Sequence, residues 1–185
     1  RQGDARRRPA CTGNGLVTAA VQASRMFDGS AWHENAALLL QDGKVAEIVS
    51  AAKAPDAVPL KGWIVPGLID LQVNGGGGVL FNNAPDPATI GVICAAHARF
   101  GTTATMITLI TDMPTVTKAA IAAANASSAP GLLGLHLEGP HLSLARKGTH
   151  DPALIRAMQD DDLAVILAAA KDLPNLIVTL APESA

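Results

Sequence analysis

The sequence contains no tyrosine, and its few phenylalanines and tryptophans bring aromatics to only 3%. That scarcity argues against a surface built to stack nucleobases, which relies on aromatic side chains. Cysteine is almost missing too. Cys11 and Cys94 form neither a CxxC pair nor a zinc-spaced set, and two isolated cysteines suit a reducing cytosol. Cys94 sits inside an apolar helical pattern and reads as a buried free thiol. No apolar run approaches the ~20 residues that a bilayer-spanning helix needs. The head of the sequence also lacks the apolar segment of a signal peptide. A cytoplasmic protein is expected, with neither nucleic acid nor membrane as partner. Charge is sparse, at 16% of residues, and unevenly placed. Arg1, Arg6, Arg7 and Arg8 stand against Asp4 in the first ten residues, whereas the remainder carries 10 basic and 15 acidic side chains. Residues 1–13 read as a disordered basic head.

What the sequence has in quantity is Ala, Val, Ile and Leu. With 49% hydrophobic residues, 185 residues suffice for one well-buried domain or slightly more. Residues 14–62 read as a small β-subdomain. Leu16 to Ala23 is strand-like, Asp28-Gly29 marks a turn, and Ala36 to Gln41 leads through Asp42-Gly43 into Lys44 to Val49. Asp-Gly between two apolar runs signals a hairpin, because both turn positions take positive φ. His33 falls in a loop of this sheet.

From Trp63 to Ala185 the pattern alternates between strand and helix. Strands are expected over Ile64–Val73, Thr102–Ile110, Leu132–Leu137 and Leu176–Leu180. Helices are expected between them. The first is capped by Asp86 with Pro87 in its first turn, and presents Ile90, Ile93, His97 and Phe100 on one face. The second is opened by Asp112 over Pro114–Ala126, and the third covers Asp160–Lys171, acidic at its start and basic at its end. Continuous apolar strands alternating with helices imply a parallel sheet covered by helices. Four such steps suit either an open sheet or the first half of a (β/α)8 barrel, whose full length is ~250 residues.

The polar clusters fall after the strands: Asp70, Gln72 and Asn74, then Asp112, then the long segment from Glu138 to His150, then Glu183. Parallel α/β folds build their sites on that rim. Within GLHLEGPHLSLARKGTH (134–150), Glu138 ends an apolar strand, where an unpaired carboxylate is costly. Two readings stand for it: a metal ligand, or a structural carboxylate capping backbone N–H groups. His136 reads as an interior, orienting histidine rather than half of an HxE metal pair. His141 either lines the pocket or is an exposed loop residue. Arg146, Lys147, Thr149 and His150 could grip an anion, or form a solvated loop. Gly75 to Gly78 lacks GxGxxG or Walker spacing, and close backbone approach explains it better than phosphate binding.

Three segments, VPGLIDLQVNGGGG (65–78), GLHLEGPHLSLARKGTH (134–150) and VTLAPE (178–183), together resemble the N-acetylglucosamine-6-phosphate deacetylases of the amidohydrolase superfamily. The resemblance implies the first half of a metal-dependent (β/α)8 barrel over residues 63–185, preceded by part of a small β-sandwich over residues 14–62. It implies hydrolysis of N-acetylglucosamine 6-phosphate to glucosamine 6-phosphate and acetate, so a sugar phosphate is the expected small-molecule partner. Glu138 matches the metal ligand of the third strand, and Thr149 and His150 match a substrate-contacting pair. Gln72 and Asn74 stand where many amidohydrolases carry an HxH metal pair. One divalent metal ion, zinc by this resemblance, is therefore expected. Gln72, Asn74, Gly139 and His141 are candidates for the pocket lining. The position of His141 commonly holds a bulky aromatic in this family. The resemblance places two metal-binding histidines and the general-base Asp on later strands, beyond residue 185, so this chain alone is expected to be an inactive N-terminal fragment. Two other readings are a non-catalytic half-barrel that binds or assembles, and another amidohydrolase of the dihydroorotase kind, against which Gln72 and Asn74 argue. Exposed sheet edges in half a barrel also lead to an expected homo-oligomer.

Overall fold

A computed structural model describes residues 19–185. The basic head, Cys11 and the first residues of the strand expected from Leu16 lie outside the described residues. Contacts divide the chain into two units, with the boundary between Pro66 and Gly67.

The first unit is a sheet. Strand β1 (Ala19–Phe27) pairs antiparallel with β2 (Trp32–Gln41), which pairs antiparallel with β3 (Lys44–Ser50). The β2–β3 turn has Asp42 at φ 51° and Gly43 at φ 74°, the two positive values that the Asp-Gly pair allows. Two short strands, β4 (Val58–Pro59) and β5 (Trp63–Ile64), run parallel to β1. Ala20, Ala37, Leu39, Ala54 and Ala57 form the small core.

Strand β1 runs four residues past the expected end at Ala23. Polar Ser24 and Arg25 break the apolar run there, but the Arg25 guanidinium lies 4.5 Å from the Trp32 ring and 5.1 Å from the Trp63 ring. Its Nε also donates to Glu34 at 2.8 Å. This stack of side chains keeps the strand paired. His33 belongs to β2, not to a loop, and lies 2.7 Å from the Asp28 carboxylate.

In the second unit, strand β6 (Leu68–Val73) is followed by a glycine-rich ribbon, β7 (Gly75–Gly76) with β8 (Val79–Leu80), and then helix α1 (Pro87–Ala98). Next come β9 (Thr102–Ile110), α2 (Pro114–Ala126), β10 (Leu132–Glu138), α3 (Asp160–Asp172) and β11 (Leu176–Thr179). The four long strands are all parallel and lie in the order β11-β10-β9-β6. Each strand is thus added beside its predecessor, as in a curled barrel-type sheet; an open doubly wound sheet would reverse direction at a switch point.

Strand alternation sorts the residues of β9 and β10 onto two faces. Ile107, Leu109, Leu135 and Leu137 pack with Ile90, Ile93, Cys94, Ala120 and Ala123 of the helices. Thr108, His136 and Glu138 alternate with them and face the opposite way. Cys94 is 3% exposed and has no disulfide partner.

The helix ends follow local chemistry. Asp86 accepts from the Thr89 N–H at 2.8 Å, and Pro87 occupies the first turn, where its missing N–H costs nothing. Gln159 and Asp162 close a capping box on α3. Two expectations are corrected. Phe100 is 81% exposed, because α1 ends at Ala98 and the chain turns at Gly101, so helical spacing no longer governs its direction. Asp112 does not cap α2; Met113 does, while the Asp112 carboxylate receives Asn82 Nδ2 and the Met113 N–H, each at 2.8 Å.

Candidate active site at the strand ends

Glu138 is the last residue of β10. Its Oε2 accepts from Gln72 Nε2 on β6 at 2.9 Å, across a sequence separation of 66 residues. Asp70 and Gln72 both lie within β6 rather than beyond it, and only Asn74 follows the strand. The Asp70 carboxylate accepts the Gln72 N–H at 3.1 Å. Asn74 is half-buried and its carbonyl accepts the Phe81 N–H at 2.9 Å.

The other carboxylate oxygen of Glu138 faces His150, with Oε1 and Nε2 3.6 Å apart. The proton positions around His150 can be deduced. Thr111 Oγ1 donates to the Glu138 carbonyl at 3.2 Å, and a carbonyl can only accept. Thr111 Oγ1 must therefore accept from His150 Nδ1, 2.9 Å away. A neutral His150 then presents a lone pair at Nε2 towards a carboxylate oxygen, two acceptors converging on one point. Such an arrangement suits a shared proton, a cation or a donor group of a substrate.

These groups open into a cleft of about 570 Å3 lined by Glu138, Ser143, Arg146, His150, Thr179 and Glu183, among others. The Glu183 carboxyl is held below its ordinary range by hydrogen bonds from its own backbone N–H and from Ser143. The basic segment does not act as a single grip. Arg146 and His150 line the cleft, whereas Lys147 Nζ donates to the Gly148 carbonyl at 3.3 Å and Thr149 is exposed.

His141 and Gly139 line a separate cavity of about 280 Å3 beside Pro140, Thr117, Arg156 and Ile166. His141 is 2% exposed; its Nδ1 donates to the Arg156 carbonyl at 3.1 Å. Gly139 adopts φ 86°, and a Cβ there would fall 2.2 Å from Thr111 Oγ1. The glycine is therefore needed both for its backbone and for the approach of Thr111. Asn82, Thr108, Thr111 and Thr179 also support the site, and sequence reading missed all four. For Thr108 a hint existed: a hydroxyl in the middle of an apolar strand requires a partner.

A metal ion requires a set of donors. Among the described residues no three His, Cys, Asp or Glu side chains gather closely enough to hold one. Glu138 and His150 supply two convergent groups where a catalytic metal takes about three protein ligands. The residues present do not complete a metal site by themselves.

No family model matches the chain. It is 40% identical over 160 residues to an N-acetylgalactosamine-6-phosphate deacetylase of Shewanella sp. (strain ANA-3), covering 82% of this chain and 40% of that protein. It is 39% identical over 127 residues to the N-acetylglucosamine-6-phosphate deacetylase of Homo sapiens, covering 65% of this chain and 31% of that protein. A solved N-acetyl-D-glucosamine-6-phosphate deacetylase from Mycobacterium smegmatis superposes with a TM-score of 0.79 at 27% identity, over 90% of this chain and 48% of the other. The chain is thus similar to N-acetylglucosamine- and N-acetylgalactosamine-6-phosphate deacetylases over the N-terminal part of their length. It spans less than half the length of each of these deacetylases.

Within this chain, three of the expected residues meet or face one another: Gln72, Glu138 and His150. Thr149, Asn74, Gly139 and His141 are not brought to the Glu138 carboxylate by any hydrogen bond.

Proposed function

We propose that this chain forms part of a hydrolase that removes the acetyl group from N-acetylglucosamine 6-phosphate, giving glucosamine 6-phosphate and acetate. The observation that carries the reading is the Glu138 carboxylate at the tip of β10, held by Gln72 and faced by His150. The named relatives support the substrate class, an N-acetylated amino-sugar phosphate. In this reading residues 63–185 are the first half of a (β/α)8 barrel, and the described residues of the preceding subdomain, 19–62, contribute to a small β-sandwich; residues 14–18 of that subdomain lie outside the described residues.

In this proposal Glu138 is a metal ligand, and Thr149 and His150 contact the substrate. Gln72 orients the carboxylate, and Asn74, Gly139 and His141 belong to the pocket and its support. One divalent ion, zinc, is the proposed cofactor. The described donors do not complete its coordination. The remaining ligands and the Asp that moves the proton are assigned to sequence outside residues 1–185. Arg146 faces the same cleft as Glu138, and its guanidinium suits a phosphate group. The protein is proposed to be cytoplasmic and homo-oligomeric; among the described residues no helix is long and apolar enough to cross a membrane.

Acetate release from N-acetylglucosamine 6-phosphate tests the reading, with the N-acetylgalactosamine isomer run beside it. A longer form of the chain is expected to turn over, and residues 1–185 alone are not. In the longer form Glu138→Ala is expected to cost more than about 100-fold in kcat/KM. Turnover by residues 1–185, or an active Glu138→Ala variant, would sink it.

A further inference from the structure

Strand β10 carries, two residues before Glu138, a buried imidazole to which the deacetylase reading gives no task. His136 is 5% exposed. Its Nδ1 lies 3.3 Å from Thr108 Oγ1 on β9, and that hydroxyl accepts the Val73 N–H at the end of β6 at 3.0 Å. Its Nε2 lies 2.8 Å from Thr179 Oγ1, on the last residue of β11. One ring thus joins all four parallel strands in a single line of hydrogen bonds.

The register shows where that line runs. His136 is paired with Thr108, but Thr179 is paired with Glu138. The ring therefore reaches diagonally, one step towards the rim, to the residue alongside the carboxylate. The Thr179 carbonyl accepts the Gly139 N–H at 3.0 Å, so the same residue also holds the turn that follows Glu138. An apolar side chain would fill this space without the cost of burying polar atoms. A satisfied polar network fixes one arrangement instead.

We propose that His136 is a positioning residue for the candidate site, locking the ends of β6, β9 and β11 against β10 so that Gln72 and the Gly139 turn hold the Glu138 carboxylate in place. The proposal rests on the reading of Glu138 as the working carboxylate. A neutral ring has one donor and one acceptor; besides the two threonine hydroxyls it has the Leu71 backbone as a partner, and the Thr108 hydroxyl itself has the Met106 carbonyl 3.5 Å away as an acceptor.

The test reads geometry rather than activity, by nuclear magnetic resonance of the isotope-labelled 185-residue chain. His136→Phe keeps a flat ring and removes all of its hydrogen bonds; Thr179→Val removes only the one to Nε2. In both, the Gln72 side-chain amide resonances are expected to move towards solvent-exposed values, and Gly139 amide exchange to quicken about tenfold. His136→Gln, which restores a polar reach towards Thr179, should bring Gly139 exchange back to within about threefold of the parent chain. Amides within α1 should not change. A folded His136→Phe or Thr179→Val chain with unaltered Gln72 and Gly139 signals overturns the proposal and leaves His136 as filling. If His136→Phe does not fold, Thr179→Val decides. Failure of the deacetylase reading would appear separately, as a longer chain that releases no acetate although these signals still move.

Discussion

Each oxygen of the Glu138 carboxylate has its own neighbour, Gln72 on one side and His150 on the other, so the group is oriented before any ligand arrives. The residue that follows must then turn sharply. Gly139→Ala places a Cβ 2.2 Å from Thr111 Oγ1 and forces an L side chain to φ 86°. It is expected to cost about 1–3 kcal/mol, measured by urea denaturation, and to displace the hydroxyl that holds His150. Asp162 offers a pH test. The Arg156 guanidinium forks onto it at 2.5 and 2.6 Å and lowers its pKa from 3.8 to about 2. A depressed carboxylate contributes stability that is fully present above its unfolded value and is lost as pH falls through its folded value. Thermal melts should therefore lose this contribution between about pH 4 and pH 2, and Asp162→Asn should remove that part of the acid slope. Glu138 itself was legible in the sequence, as a lone carboxylate ending an apolar run. Its partnership with Gln72 was not, since nothing local links residues 66 positions apart.

At the scale of elements, the βα alternation of the second unit was readable because its strands are continuous apolar runs and its first helix is capped by Asp86 and Pro87. The readings that failed did so for non-local reasons. Strand β1 is prolonged by aromatic rings from β2 and β5, which a window over Ser24 and Arg25 cannot include. Asp70 lies inside β6 because one polar face of that strand looks away from the helices. The hydrogen-bonded line through Thr108 was also hidden, since its members come from four strands. Thr108→Val keeps the shape but leaves the buried Val73 N–H without its acceptor. A loss of about 1–3 kcal/mol is expected, read as a lowered midpoint in a thermal melt.

For the whole molecule, the order β11-β10-β9-β6 decides between the two architectures that the sequence left open, because a sheet laid down strand by strand curls towards a barrel. Its outer strand β6 exposes Leu68, Ile69 and Leu71 at 58%, 64% and 54%. An apolar edge strand of this kind invites pairing. The 185-residue chain is expected to self-associate in size-exclusion chromatography, and Ile69→Lys, which puts a charge on that edge, to shift it towards monomer. A compact monomer of the parent chain at micromolar concentration would count against this.

Cys94 adds something of a different kind. It lies in the core of the second unit, and burial pushes its thiol pKa up. A thiol that neither ionises nor meets solvent reacts with an alkylating reagent only while the structure around it is open. Its disappearance is therefore a clock for the opening of that unit, carried by the natural sequence and ticking faster whenever a substitution loosens the sheet.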